Sequence, residues 1–210
     1  MKKLLTIILF LSLLGCSGCA YLGDYLEIAE GDTISDEYLS ALSRWSQQKT
    51  VYAELDTRAR IVATYKSRAF IDAFRDEYSR IYQLSRGDER VEKNILGYAD
   101  NGFDEFLFYA SLPNGDANDF AREDSIWDTF LLSETNERIY PDEIKEVTAI
   151  TPVITKFFPY VNPYYGKFYS VKFACPERGV GESQRLRIVF ASVLGRVDLK
   201  WGYRRHLEFL

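Results

Sequence analysis

Histidine is almost absent from this chain of 210 residues, because His206, near its end, is the only one. Nucleophilic triads and most zinc sites need histidine held by a rigid scaffold, whereas chain ends are often loosely held. We therefore interpret His206 as a solvated tail residue. The sequence assigns no catalytic residue, no metal ligand and no cofactor.

Long apolar runs are also absent, because the longest largely apolar run, at 4–14, contains only eleven residues. As a helix this run would rise about 16 Å, against about 30 Å for the hydrocarbon core of a bilayer. It is therefore too short to serve as a permanent transmembrane span.

An excess of positive charge is missing as well. The formal net charge is −5, and it becomes −7 without Lys2 and Lys3. Proteins that bind nucleic acid usually carry a basic patch or stripe. The composition therefore argues against nucleic acid as a partner.

The start of the chain has three zones: the basic Lys2 and Lys3, the apolar run 4–14, and small residues at 15–18. This layout is typical of a secretory signal peptide. Within it, 13–16 reads Leu-Leu-Gly-Cys and resembles the lipobox of bacterial lipoproteins, although that family usually has a smaller residue where Leu14 stands. The resemblance implies a signal peptide at 1–15 and a lipidated Cys16. Cys19 is a second candidate for lipidation. The lipobox has leucine three residues before the lipidated cysteine, and three residues before Cys19 stands Cys16, so Cys16 is the favoured site.

The residue after the lipidated cysteine predicts the location. In the lipoproteins that this sequence resembles, aspartate at that position holds the protein at the inner membrane, whereas here it is Ser17. The resemblance therefore implies an outer-membrane protein facing the periplasm. Two or three acyl chains, such as palmitate, would anchor it stably, since a single chain binds membranes reversibly.

Two cysteines remain if Cys16 carries lipid, and they permit two interpretations. Cys19 and Cys175 could pair in the oxidising envelope, or Cys175 could be a small buried side chain. The second is favoured because Cys19 lies in the predicted tether at 16–34. No C-x-x-C pair lies within 35–210, which argues against a redox or metal role there.

Apolar side chains at helical spacing predict two amphipathic helices in the N-terminal half. The first begins after Ser35, whose hydroxyl can cap it, and the second follows from a helical pattern that starts at Ser67. A third, shorter helix is expected at about 88–98. Residues 51–65 fit both the helical and the strand period, and a strand is favoured because the alternation lasts longer.

Beyond residue 102 the sequence is rich in aromatic and β-branched residues between short turns, which is typical of antiparallel strands. The predicted strands cover 103–112, 126–132, 146–150, 167–173, 185–191 and 196–203, and the last two form a hairpin near Gly195. We expect a single α+β, mainly β, domain at 35–210. Its predicted architecture is an antiparallel β-sandwich of the immunoglobulin-like class with two or three helices in the N-terminal half. The alternative is an open sheet covered by the helices.

The most unusual segment has seven aromatic residues within 157–169. Its two prolines and an Asn-Pro step predict an extended turn. Phe158, Tyr160, Tyr164 and Tyr165 are candidate binding residues, because aromatic side chains stack on sugar rings or anchor protein partners. The alternative is that these rings fill the core. This segment, together with the sequence from Leu186 onward, resembles uncharacterised envelope lipoproteins, a resemblance that implies no activity.

These features predict a lipid-anchored cell-envelope protein that acts as a binding or interaction module. Other envelope proteins are the first candidate partners, besides the membrane itself. A glycan-binding or cell-wall-binding module is one alternative, and a carboxylate-dependent hydrolase is another, although no pair of acidic residues stands out. The acidic stretch 114–124 lacks the order of an EF-hand loop and is interpreted as a solvated turn.

Replacing Cys16 by serine should abolish labelling with a radioactive fatty acid and recovery of the protein in the membrane fraction, because serine offers no thiol for the acyl chain. Cys19→Ser is the matched control and should leave both unchanged. If the Cys16→Ser protein is still labelled, the assignment moves to Cys19.

Overall fold

The structure is a computed structural model that describes residues 34–54, 56–85, 88, 102–133, 136–174 and 185–202. All of these residues belong to one unit, Ile34–Leu210. Cys16, Cys19, Cys175 and His206 lie outside the described residues. So does nearly all of the helix predicted at 88–98, and these predictions therefore stay predictions.

The strands of the described residues form two antiparallel sheets. One has the order β1-β2-β3-β7-β6 and the other β5-β4-β8-β9. The strands are β1 Ser46–Ala53, β2 Asp56–Tyr65, β3 Phe103–Ser111, β4 Asp128–Leu132, β5 Arg138–Ile139, β6 Glu143–Glu146, β7 Lys167–Ala174, β8 Leu186–Ser192 and β9 Gly195–Trp201. The prediction of a β-sandwich made of antiparallel strands is therefore confirmed.

Alternating side chains join the two sheets face to face. The ring centroids of Phe108 in β3 and Phe190 in β8 lie 4.9 Å apart, and those of Phe106 and Trp201 lie 5.2 Å apart. In β9, Leu199 and Trp201 are buried, whereas Lys200 is exposed. The period of two predicted for this strand, and its hairpin with β8, are confirmed.

Helices cover the other face of the five-stranded sheet. They are α1 Asp36–Trp45, α2 Arg68–Tyr82 and α3 Pro152–Phe157. Phe158, directly after α3, lies 5.6 Å from Phe168 of β7 and 6.3 Å from Phe70 of α2 between ring centroids. The five-stranded sheet is therefore a middle layer, which explains why β3 is buried along nearly its whole length. Within the described ranges, no helix is long and apolar enough to cross a membrane.

Four details differ from the sequence prediction. Residues 51–65 are not one strand but parts of the β1–β2 hairpin, which turns at Glu54 with a φ of 57°. The polar start of β1 gives no sign of a strand in the sequence, because β1 is an edge strand without alternating apolar residues. The strand expected at 146–150 lies earlier, at Glu143–Glu146. Helix α3, capped by Thr151, and the short strand β5 have no counterpart in the prediction.

A buried carboxylate joins α1 to α2. The Ser35 hydroxyl accepts the N–H of Tyr38 and so caps α1 as predicted. The backbone N–H and the hydroxyl of Ser35 also donate to the two Glu77 carboxylate oxygens, at 2.7 and 2.8 Å. Arg80 donates to both oxygens at 3.0 and 2.8 Å. The hydrogen bonds from Arg80 are the main reason that the pKa of Glu77 is lowered from 4.5 to about 2, against the opposing effect of its burial.

Replacing Leu199 by alanine should destabilise the fold by about 2 to 5 kcal/mol, because it leaves a cavity between the sheets. Its neighbour Lys200 is exposed, and Lys200→Ala should change the free energy of unfolding by less than about 0.5 kcal/mol. Urea unfolding of both variants measures the difference. Similar losses from the two changes would contradict the two-faced burial of β9.

Replacing Glu77 by glutamine should destabilise the fold at pH 7 by about 1 to 3 kcal/mol, because a buried charged hydrogen-bond acceptor is lost. The folded-state pKa of Glu77 is depressed from 4.5 to about 2, so its stabilising effect is present above about pH 4.5 and is lost as the pH falls toward 2. Urea unfolding at several pH values should show the difference between wild type and variant shrinking over that interval.

Asp76→Asn is the matched control, because Asp76 is the exposed neighbour of Glu77 on the same helix. It should change the free energy of unfolding little at any pH. A difference between wild type and Glu77→Gln that stays constant from pH 7 to pH 2 would contradict the assigned role of the carboxylate.

Candidate functional site

The four aromatic residues singled out in the sequence are not brought together on one surface. Phe158 is fully buried between the helices and the middle sheet, and Tyr160 is half-buried. Tyr164 and Tyr165 are 88% and 71% exposed. Only these last two of the four can present whole rings to a partner.

Tyr160 has a structural role. Its hydroxyl lies 2.7 Å from the hydroxyl oxygen of Thr64 in β2, which in turn lies 2.6 Å from that of Ser46 in β1. Burial raises the pKa of Tyr160. This chain of hydroxyl groups connects the segment after α3 to the middle sheet.

Hydrogen bonds hold residues 162–166, here named the tyrosine turn, against the end of β3. Tyr109 donates its hydroxyl to the Asn162 carbonyl at 2.9 Å, and Ser111 donates to the Tyr165 carbonyl at 2.7 Å. The Asn162 side chain accepts the Tyr164 N–H at 3.0 Å, which is the pattern of an Asx turn. The backbone that carries the two exposed rings is therefore fixed at several points.

Gly166 allows this close approach. A Cβ atom at this position would lie 2.4 Å from the Ala110 carbonyl oxygen and 2.6 Å from the Tyr109 ring. Atoms cannot come so close, so any other residue would push the turn away from β3. The glycine therefore matters for where the two tyrosines are presented.

The tyrosine turn forms one wall of a cleft of about 540 Å³. The cleft lies where β2 begins, β3 ends and β7 begins, and the register of these strands places the three points at one end of the middle sheet. The described residues that line it are Thr57, Ser111, Leu112, Pro113, Gly115, Asn118, Pro163, Tyr164, Tyr165, Gly166 and Lys167. Loops at the end of a rigid sheet are a common place for binding sites.

Another wall belongs to the loop after β3. Asn118 is buried, donates its side-chain amide to the Ala110 carbonyl at 2.8 Å and accepts the Tyr169 hydroxyl at its own carbonyl, also at 2.8 Å. Trp127 donates its indole N–H to the Ala117 carbonyl at 2.8 Å. This wall is therefore held by buried side chains, as the tyrosine turn is.

Two acidic residues of this loop have partners within it. Asp119 accepts the Ser125 hydroxyl at 2.9 Å, and Asp124 pairs with Arg122 at 2.8 Å. In the part of the chain that the structure describes, no group of three or more histidine, cysteine, aspartate or glutamate residues could hold a metal ion. The hydrogen bonds thus assign Asp119 and Asp124 to local structure.

Charge at the cleft is nearly balanced. Among the described residues that line it, Lys167 alone is charged, and its amino group lies 3.2 Å from the Glu146 carboxylate. No carboxylate is among those lining residues. The cleft therefore offers ring faces and neutral hydrogen-bonding groups, and none of these residues supplies an acid pair for hydrolysis.

Buried charges lie at the other end of β3. Glu105 forms an ion pair with Lys66, and its second oxygen lies 3.1 Å from the Lys172 amino group. Asp104 accepts the Tyr65 hydroxyl at 2.9 Å. Because consecutive strand residues point to opposite faces of a sheet, these two acids do not face each other across a shared site.

Comparison with known proteins identifies no relative whose function could be considered for this chain, so a function is proposed from the geometry of the site. No family model matches the chain, and neither a curated protein nor a solved structure matches it significantly. The candidate site is therefore defined by the exposed tyrosines, the anchored turn and the cleft beside it.

Tyr160 and Tyr164 should respond differently to replacement by alanine. Tyr160→Ala removes a hydrogen bond to Thr64 and a partly buried ring and should lower the free energy of unfolding by about 1 to 3 kcal/mol. Tyr164→Ala and Tyr165→Ala remove exposed rings and should each stay within about 0.5 kcal/mol. Chemical unfolding measures all three, and a large loss from Tyr164→Ala would show that its ring belongs to the core.

Proposed function

We propose that this chain is a lipid-anchored cell-envelope protein that acts as a binding module through Tyr164 and Tyr165. The lipid is attached at Cys16, residues 16–34 are the tether, and residues 35–210 are the binding domain. The protein lies at the outer membrane and faces the periplasm. The lipobox-like sequence at 13–16 supports the anchor, and Ser17 supports the outer membrane.

The observation that carries the binding role is the pair of tyrosines exposed at 88% and 71% on a turn that is itself anchored. Adjacent exposed aromatic rings reduce solubility, and such patches usually mark interaction sites. Tyrosine suits this position because its ring can pack on a partner while its hydroxyl stays in water. A backbone already fixed by hydrogen bonds loses little conformational freedom on binding.

We also propose the immunoglobulin-like class for the sandwich. Its two antiparallel sheets, packed face to face, support this assignment. Domains of this class commonly bind through loops at one end of the sandwich, which is where the tyrosine turn and its cleft lie.

Site-specific photocrosslinking in intact cells tests the binding role. A benzophenone amino acid in place of Tyr164 should form adducts, because its reactive group would lie at the binding surface and attacks C–H bonds of proteins and sugars alike. The same amino acid in place of Tyr140 is the matched control. Tyr140 is 56% exposed and lies shortly before β6, whose first residue pairs with Lys172 near the end of β7, whereas the cleft lies at the start of β7. Adducts should be specific to position 164 and should decrease when Tyr165 is replaced by alanine.

Two results would count against the proposal. One is the absence of adducts at position 164, and the other is an adduct pattern identical at positions 164 and 140. Either would show that the tyrosine turn is not the surface through which this protein meets its partner.

A further inference from the structure

A third exposed tyrosine stands next to a residue that lines the cleft. Tyr52, at the end of β1, is 67% exposed, and it stands directly opposite Thr57 of β2, which lines the cleft. Cross-strand partners in an antiparallel pair have Cβ atoms about 4.5 to 5.5 Å apart. Exposed tyrosines therefore flank the cleft at the tyrosine turn and at the β1–β2 hairpin.

This arrangement is elongated. The tyrosine turn lies beside the beginning of β7, which pairs with the end of β3, while Tyr52 lies across β2 on the far side of β3. The cleft between them has a volume of about 540 Å³, within the range of about 300 to 1,000 Å³ that is usual for small-molecule sites. A ligand that touches both ends is therefore an extended chain.

The lining also disfavours a charged ligand. The Lys167 amino group is paired with Glu146 at 3.2 Å, and the other described lining residues are uncharged. An anionic ligand would have to compete with Glu146 for the lysine. A neutral ligand meets no such penalty and can bond to the hydroxyl groups of Thr57, Tyr164 and Tyr165.

The lining fits sugars better than it fits a protein side chain. Protein hot spots are usually aromatic or arginine side chains packed into desolvated pockets. In this lining Leu112 is already buried in the core, and Pro113 and Pro163 are exposed, so they do not form such a pocket. A pyranose ring needs an exposed aromatic face for its C–H groups and neutral polar partners for its hydroxyls. The cleft offers both.

We infer that the cleft between Tyr52 and the tyrosine turn binds an extended, uncharged glycan chain. This inference rests on the proposed binding function of Tyr164 and Tyr165, and it adds the chemical class of the ligand. Tyr164 and Tyr165 stack on sugar rings at one end, and Tyr52 contacts a ring further along the chain.

Isothermal titration calorimetry on the full-length lipidated protein in detergent tests the assignment with four hexasaccharides. Three are neutral: β-1,4-linked N-acetylglucosamine, cellohexaose and maltohexaose. The fourth, hexagalacturonate, carries a carboxylate on every ring. At least one neutral chain should bind, and hexagalacturonate should bind more weakly than that chain.

Variants then locate the binding. Joint replacement of Tyr164 and Tyr165 by alanine should weaken binding of the neutral hexasaccharide at least about tenfold, equivalent to about 1.4 kcal/mol. Tyr52→Ala should weaken binding of the hexasaccharide but not of the matching disaccharide, which is too short to reach both ends. Tyr140→Ala is the control with unchanged affinity.

The outcomes separate this inference from the proposed function. If position 164 forms specific crosslinks in cells but none of the four hexasaccharides binds at millimolar concentration, the glycan assignment is wrong and the binding function stands, with a protein as the partner. Stronger binding of hexagalacturonate overturns the neutral class. Binding of a neutral chain that no tyrosine variant weakens overturns the site, and absence of both crosslinks and sugar binding overturns the inference and the proposed function together.

Discussion

The burial of β3 on both faces is the constraint on which the rest of the structure depends. Phe106 and Phe108 pack against the second sheet, while Leu107 and Tyr109 point to the side that the helices cover. A strand in the middle of three layers cannot shift its register without moving apolar side chains out of both cores. Its end is therefore fixed in space, and Tyr109 and Ser111 at that end are the residues that bind the tyrosine turn.

The two ends of the aromatic segment 157–169 lie in the core, and its middle lies on the surface. It starts in the helical layer with Phe157 and Phe158, leaves the core for the tyrosine turn, and returns to it with Phe168 and Tyr169 in β7. Both ends of the turn are thus fixed by buried rings only a few residues away. Because large buried aromatics are expensive to displace, the exposed rings between them keep a defined position although they contact little themselves.

Local patterns were sufficient to predict some elements and not others. The helices after Ser35 and Ser67 and the β8–β9 hairpin follow from caps and periods contained in the elements themselves, so the sequence predicts them. The first half of β1 could not be recognised, since an edge strand needs no apolar alternation. The sandwich prediction placed only the Ser67 helix across one face or between early strands, and a layer made by the helices together was expected only in the open-sheet alternative. A single period does not show that a strand is buried on both faces.

The candidate site depends on contacts that the sequence does not display. The aromatic composition of 157–169 marks an unusual segment, but it cannot tell that Phe158 is inside and Tyr164 outside. Phe158 is held inside by Phe70 and Phe168. The tyrosine turn is held outside by Tyr109, Ser111 and the space at Gly166, and the first two lie more than fifty positions from the residues they bind. A small signal was present, since an Asn-Pro step followed closely by glycine favours a tight turn that displays the residues between them.

The chain is acidic overall, but the described residues that line the cleft are uncharged apart from Lys167, which is paired with Glu146. The chain carries a formal net charge of −5, so its average field repels anionic polymers. Within the loop after β3, Asp119 accepts a hydrogen bond from Ser125 and Asp124 forms an ion pair with Arg122. Glu146 forms an ion pair with Lys167. Exposed rings and hydroxyl groups thus remain the distinctive chemistry of the described cleft residues, and the proposed binding function would use stacking and neutral hydrogen bonds instead of charge.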